Sequence, residues 1–205
     1  MLEAIDCMTP LTAETVAKLK QTSYRAVGRY LGAKYIGLAK GITPIEKDLI
    51  LSAGLSLFLI YETMPTQASY FTQEKGIHDA KTAIDEAEFL GVPKGTAIYF
   101  TVDFDAQAGD MPAVIAYFKG IRSAMGSKYL VGAYGGYAVM EALYAQHGLV
   151  DKFYQTYAWS DGKAFTDRNI YQYRNSVEVA GIAVDLDMVS DNAGLWVKPK
   201  VAEVR

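Results

Sequence analysis

One cysteine in 205 residues, Cys7, leaves no partner for a disulfide within the chain and says little about the redox compartment. It follows Asp6, so on a strand it faces the opposite way, where a small apolar thiol packs. Histidine is nearly as scarce: His78 and His147 fall in segments that read as helices, away from any strand end, which argues against a histidine-based metal site or catalytic triad. Long apolar runs are missing too. The longest, residues 49–61, is interrupted by Ser52, Gly54 and Ser56 and is shorter than the roughly 18 residues of a membrane-spanning helix. Neither sign of charge dominates, because 20 Lys and Arg face 23 Asp and Glu for a net charge of −3. Without a basic patch, nucleic acid and anionic membrane are excluded as partners and a neutral or cationic ligand fits better. The start of the chain lacks the basic, apolar and small-residue order of a secretory signal, since strand-like residues follow Met1 almost directly. The expectation is a chain made in the cytoplasm, or one from which a leader has been left off.

What the sequence has is apolar material: 51% of it is hydrophobic, enough for one large core. Residues 1–197 read as a single domain and 198–205 as a polar tail or the start of a linker. Strand-like runs alternate with helical spacing, the pattern of a parallel α/β sheet. Helices are predicted over 12–20 and from Thr43-Pro44-Ile45-Glu46, a capping box with proline at the first helical position. A third carries Ile77, Ala80, Ile84 and Ala87 on one face and stops at Gly91 before Pro93, and two more open at Asp110 and after Gly135-Gly136. Strands are predicted at the start of the chain and over 24–31, 55–61, 96–102, 129–134, 153–159, 169–173 and 181–186. Eight strands in this order suggest a small TIM-like (β/α)8 barrel whose late helices are abbreviated, since about 250 residues is typical. A doubly wound open sheet is the competing architecture.

Acid residues close several of these strands: Asp6 after Ala4-Ile5, Glu62 after 57–61, Asp103 and Asp105 after 98–102, and Asp185 and Asp187 in 182–187. Carboxylates at the ends of buried strands are desolvated and crowded, so their presence needs a reason. Alternation places Asp103 with Asp105 and Asp185 with Asp187 on common faces, aimed at one barrel mouth. Like charges held that closely cannot all ionise, and the resulting split into an acid and a base is what glycoside hydrolysis uses. A calcium loop beginning at Asp103 fails, with Ala108 where glycine belongs and Val114 where the bidentate glutamate belongs. Fifteen tyrosines and two tryptophans suit a sugar ligand, and Tyr30, Tyr61, Tyr99, Tyr134 and Trp159 lie in or at the ends of predicted strands. Gly132-Ala133-Tyr134-Gly135-Gly136 lacks the lysine of a phosphate loop and reads as a turn.

Taken in order, Ala4-Ile5-Asp6, Tyr99-Phe100-Thr101-Val102-Asp103-Phe104-Asp105, Val131-Gly132-Ala133-Tyr134-Gly135, Tyr171-Gln172-Tyr173 and Gly181-Ile182-Ala183-Val184-Asp185-Leu186-Asp187 run nearly the length of the chain. As a set they resemble the glycoside-hydrolase-like domain of bacterial and phage cell-wall proteins, which is similar to the family 25 muramidases. The resemblance implies a barrel without cofactor or metal that cuts peptidoglycan glycan strands at the cell wall, as lysozymes and phage endolysins do. It implies a monomer, with or without a separate wall-binding domain. By position Asp6 and Asp185 match the first- and last-strand aspartates, Asp103 and Asp105 the Asp-x-Glu pair, and Gln172 the glutamine of a Trp-Gln-Tyr strand whose tryptophan is here Tyr171. Aspartate at 105 is one methylene shorter than the family's glutamate, so Asp105 and Glu62 are both candidate proton donors. Asp6, Asp103 and Asp185 complete the catalytic set, and the five aromatic residues with Gln172 and Asp187 would bind substrate. Two other readings stay open: a non-catalytic barrel that holds wall glycan, and a metal-assisted hydrolase of another bond.

Overall fold

A computed structural model describes residues 1–198. The predicted tail over 198–205 lies outside them but for its first residue. The strands β1 (Leu2–Asp6), β2 (Ala26–Tyr30), β3 (Ser56–Tyr61), β4 (Ala97–Thr101), β5 (Leu130–Gly135), β6 (Lys152–Thr156), β7 (Ile170–Val179) and β8 (Ile182–Val189) close in chain order into a barrel. The closure of β8 onto β1 overturns the open sheet. Helices α1 (Ala13–Leu19), α2 (Pro44–Ser52), α3 (Gln73–Leu90), α4 (Met111–Met125) and α5 (Tyr137–Tyr144) follow the first five strands. None of the described helices is long and apolar enough to cross a membrane.

The late helices are not merely short, for among the described residues none follows β6 or β7. Only Ala180 and Gly181 separate β7 from β8, both with positive φ, as a two-residue hairpin turn requires. A hairpin returns antiparallel, so β8 runs against both of its neighbours, where the sequence reading expects parallel strands throughout. The expected boundaries of β7 are therefore six residues short at its C-terminal end, because 174–179 continue the strand above the mouth.

Local sequence accounts for the helix ends. Thr12, Thr43 and Thr72 each accept an N–H of the first turn of α1, α2 and α3, Pro44 opens α2, and Gly91 closes α3 in the left-handed region at φ 75°. The expected reciprocal half of the Thr43 box is diverted: Glu46 instead accepts Leu11 N–H at 2.8 Å and Arg29 Nε–H at 2.7 Å. Fully buried Arg29 needs that anion, and it also donates to the carbonyls of Cys7 and Lys40, tying together two loops at the barrel mouth.

Apolar side chains fill two layers, one inside the barrel around Phe58, Tyr99, Tyr154 and Ile170, the other between the sheet and the helices. Residues 193–196 plug the lower end: Gly194 O accepts Ala97 N–H, and Trp196 bridges Leu57. Helices α3 and α4 touch through backbone at Gly76 and Gly120, where an added Cβ would stand 2.0 Å from Tyr117 O and 2.1 Å from Gln73 O. Gly120→Ala is expected to force the two helices apart and destabilise the fold by about 3 kcal/mol, the upper end of overpacking costs. Denaturant titration checks it, and an unchanged midpoint would show that the helices yield freely.

Candidate active site

The C-terminal ends of β1–β7 form a cleft of about 270 Å³, lined among others by Asp6, Tyr30, Glu62, Asp103, Tyr134, Tyr154, Gln172 and Asp185. Register explains how β8 contributes while running the other way. Asp185 pairs with Asp6 and so reaches the mouth, whereas Asp187 pairs with Ala4 and lies one inward position lower. Asp187 is fully buried beneath the cleft instead of lining it.

Gln172 is the hub. Its Oε1 accepts Tyr134 O–H at 3.0 Å and Thr156 O–H at 2.7 Å, and its Nε2 donates to Asp6 Oδ2 and Asp185 Oδ2, each at 3.0 Å. All four amide valences are satisfied, so the side chain holds the two acids at a set separation. Ser176 N–H donates to Asp185 Oδ1 at 2.9 Å, and the Tyr154 hydroxyl lies 2.8 Å from both Asp6 Oδ2 and Asp187 Oδ1. On the opposite wall Lys40 forms an ion pair with Glu62 and stands 4.1 Å over the Tyr30 ring. The segment after Glu62 is anchored from outside the barrel by buried Asp79, which accepts the hydroxyls of Tyr61, Tyr70 and Tyr117.

These surroundings shift the acids. Burial, reinforced by Asp185, pushes Asp6 up to about 6 against the hydrogen bonds from Tyr154 and Gln172. Asp103 is likewise pushed up to about 6, by burial first and then by Glu62, while Lys40 pulls the other way. Burial raises Asp185, and burial with the charge of Asp6 raises Asp187 well above the carboxylate range. The thiol of Cys7 is pushed up to about 12, mainly by burial, which makes it a poor nucleophile.

Of the sequence-derived candidates, the fold brings Asp6, Glu62, Asp103, Asp185, Tyr30, Tyr134 and Gln172 together, with Asp187 below them. It does not bring in Asp105, which is exposed and accepts a hydrogen bond from Gln107 Nε2 at 2.8 Å. Strand β4 stops at Thr101, so alternation no longer governs 103–105, and Phe104 stacks outward on Phe71 at 5.7 Å. Tyr61 points out under α3, Tyr99 donates from the interior to Ala193 O at 2.6 Å, and Trp159 lies beyond β6, 39% exposed at φ 53°. Tyr154, Ser176 and Lys40 are among the site residues that the sequence reading missed. Tyr154 was readable from the inward phase of β6, Ser176 from none because its strand was cut short, and Lys40 from none because its loop has no period. Among the described residues no group of three or more histidine, cysteine or acid side chains is arranged to hold a metal ion.

Comparison with known proteins agrees with this geometry. The sequence profile of the family described as "Rv2525c-like, glycoside hydrolase-like domain" matches residues 17–193. The uncharacterized protein FadG of Bacillus subtilis (strain 168) is 39% identical over 137 residues, which cover 64% of this chain and 24% of FadG, so the chain spans about a quarter of that relative's length. The Tat-secreted protein Rv2525c of Mycobacterium tuberculosis, solved with L-tartrate, superposes with a TM-score of 0.81 at 18% identity over 95% of this chain and 98% of that one. The virulence factor GHIP of Streptococcus pneumoniae, a glycosyl hydrolase 25, gives 0.60 at 16% identity over 93% and 87%. At such identities these two likenesses are of fold.

Proposed function

The chain belongs to the Rv2525c-like, glycoside hydrolase-like family, and from that premise and its acid cleft we propose that it hydrolyses the glycan strands of peptidoglycan, in the manner of a muramidase. The observation that carries this reading is that one cleft holds two carboxyls poised near 6, Asp6 and Asp103, beside Glu62 and Asp185. Glycosidic cleavage needs a proton for the leaving oxygen and an anion to support the oxocarbenium-like sugar or activate water. Asp103 supplies the proton in this reading, because Asp105 is turned away and Glu62 already has Lys40 as its counter-ion. Asp6, held by Tyr154 and Gln172, supplies the anion with Asp185 beside it. Tyr30 and Tyr134 line the cleft in which the pyranose would sit, and the site of action is the bacterial cell wall.

The test is mass spectrometry of purified peptidoglycan after incubation with the protein, with new reducing N-acetylmuramic acid ends as the expected product. Intact glycan from several wall types would sink the hydrolase. The outward turn of Asp105, which the family resemblance puts in the donor's place, favours one second reading, a barrel that binds wall glycan without cutting it. Retention of the protein on cell walls with no fragments released would select it.

A further inference from the structure

Tyr154 has two short contacts and one hydrogen. Its hydroxyl oxygen lies 2.8 Å from Asp6 Oδ2 and 2.8 Å from Asp187 Oδ1. A phenol donates once, so with both carboxyls ionised one of these oxygen pairs would face each other with no hydrogen between them. The second hydrogen has to come from a carboxyl.

The surroundings decide which carboxyl carries it. Asp6 already accepts from Gln172 Nε2 at 3.0 Å, has the Tyr30 hydroxyl at 3.5 Å from its other oxygen, and borders the cleft. Asp187 is 0% exposed and its Oδ2 has no hydrogen-bond partner. An orphaned oxygen of a buried carboxylate is far more costly than the orphaned carbonyl of a neutral acid. The titratable groups facing Asp187 are Asp6 from β1, Tyr154 from β6 and Asp185 on its own strand, with Gln172 paired beside it on β7, and none of them is a cation.

We propose that Asp187 is a neutral carboxylic acid at physiological pH whose stored proton is donated to Tyr154, so that the single hydroxyl hydrogen of Tyr154 is committed to Asp6. Asp187 is thus a positioning residue that acts on the cleft through Tyr154. Burial and the neighbouring charge of Asp6 favour the protonated form. The consequence for turnover, a stably solvated Asp6 anion, rests on the glycosidase reading, whereas the location of the proton does not.

Infrared difference spectroscopy of the full chain at pH 8 tests it, because Asp6 and Asp103, near 6, are then ionised. The expected result is a carbonyl stretch of a neutral carboxylic acid with the intensity of one group in the wild type, lost in Asp187→Asn. In Tyr154→Phe the band persists and moves to higher frequency, as its hydrogen-bond acceptor is gone. No neutral-acid band in the wild type, or a band that survives Asp187→Asn, overturns the proposal. Should Asp187→Asn fail to fold by circular dichroism, a wild-type band that does not shift in Tyr154→Phe overturns it instead. A band at Asp187 in a protein that never cuts peptidoglycan would sink the glycosidase reading and leave the stored proton standing.

Discussion

Asp103→Asn is expected to lower kcat on peptidoglycan glycan strands by about 10²–10⁴-fold, the usual contribution of a positioned proton donor. KM should change little, since asparagine keeps the size and polarity of the side chain. A wild-type carboxyl near 6 also dictates the pH profile: the proton is present below about 6 and absent above, so the rate falls as pH rises through that value. In Asp103→Asn this falling limb disappears from whatever activity remains. Asp105→Asn is the control, because Asp105 is exposed and engaged with Gln107, and its replacement should leave the profile in place. Steady-state rates between pH 4 and pH 8 on one soluble glycan substrate separate the two. A falling limb that stays in Asp103→Asn and vanishes in Asp105→Asn would return the donor's role to Asp105, with a loop movement to bring it in.

How far the site was legible in advance depended on how far each strand ran. Within a strand, alternation gives the shared faces: Tyr134 and Gln172 face the cleft and Asp185 and Asp187 share a face, but it does not give which face or which level, so Tyr61 lies outside the barrel and Tyr99 inside it below the mouth. One or two residues past a strand end the rule lapses. Asp105 and Trp159 were both assigned to the mouth by extending strands that stop at Thr101 and Thr156. The direction of β8 was not readable from composition, because antiparallel and parallel strands of a buried barrel carry similar apolar runs. It was hidden further by the exposed, bulged stretch 174–176, which interrupts the hydrophobic alternation before Val177 and Val179 resume it and masks how short the turn to β8 is. Helix ends were the most readable elements, since Thr43, Pro44 and Gly91 each satisfy or spare backbone groups locally. Lys40 illustrates the opposite case: nothing local marks a loop lysine as the counter-ion of Glu62, which is 22 residues away in the chain.

Asp6→Asn is expected to destroy activity and stabilise the protein at the same time. In the folded state Asp6 stands near 6 instead of its ordinary 3.8, so between those values the folded chain binds more protons than the unfolded one. Stability therefore falls as pH rises through this window, and the contribution is fully present only below about 4. For a side chain 4% exposed, a displacement of this size is worth about 3 kcal/mol at pH 8 as an order of magnitude. Asparagine fits the same contacts, since Oδ2 takes both Tyr154 and Gln172 while the Oδ1 position, with Tyr30 at 3.5 Å, receives the amide nitrogen. The variant should match the wild type at pH 4 and unfold at higher denaturant by pH 8. Denaturant titrations at the two pH values decide it. A variant less stable at pH 8 would mean that the Tyr154 and Gln172 hydrogen bonds outweigh the burial of the charge, and Asp6 would then be an ordinary ionised strand-end acid. The predicted gain is the energy the folded barrel forgoes to hold an anion in a dry cleft, as trade-offs between stability and activity require.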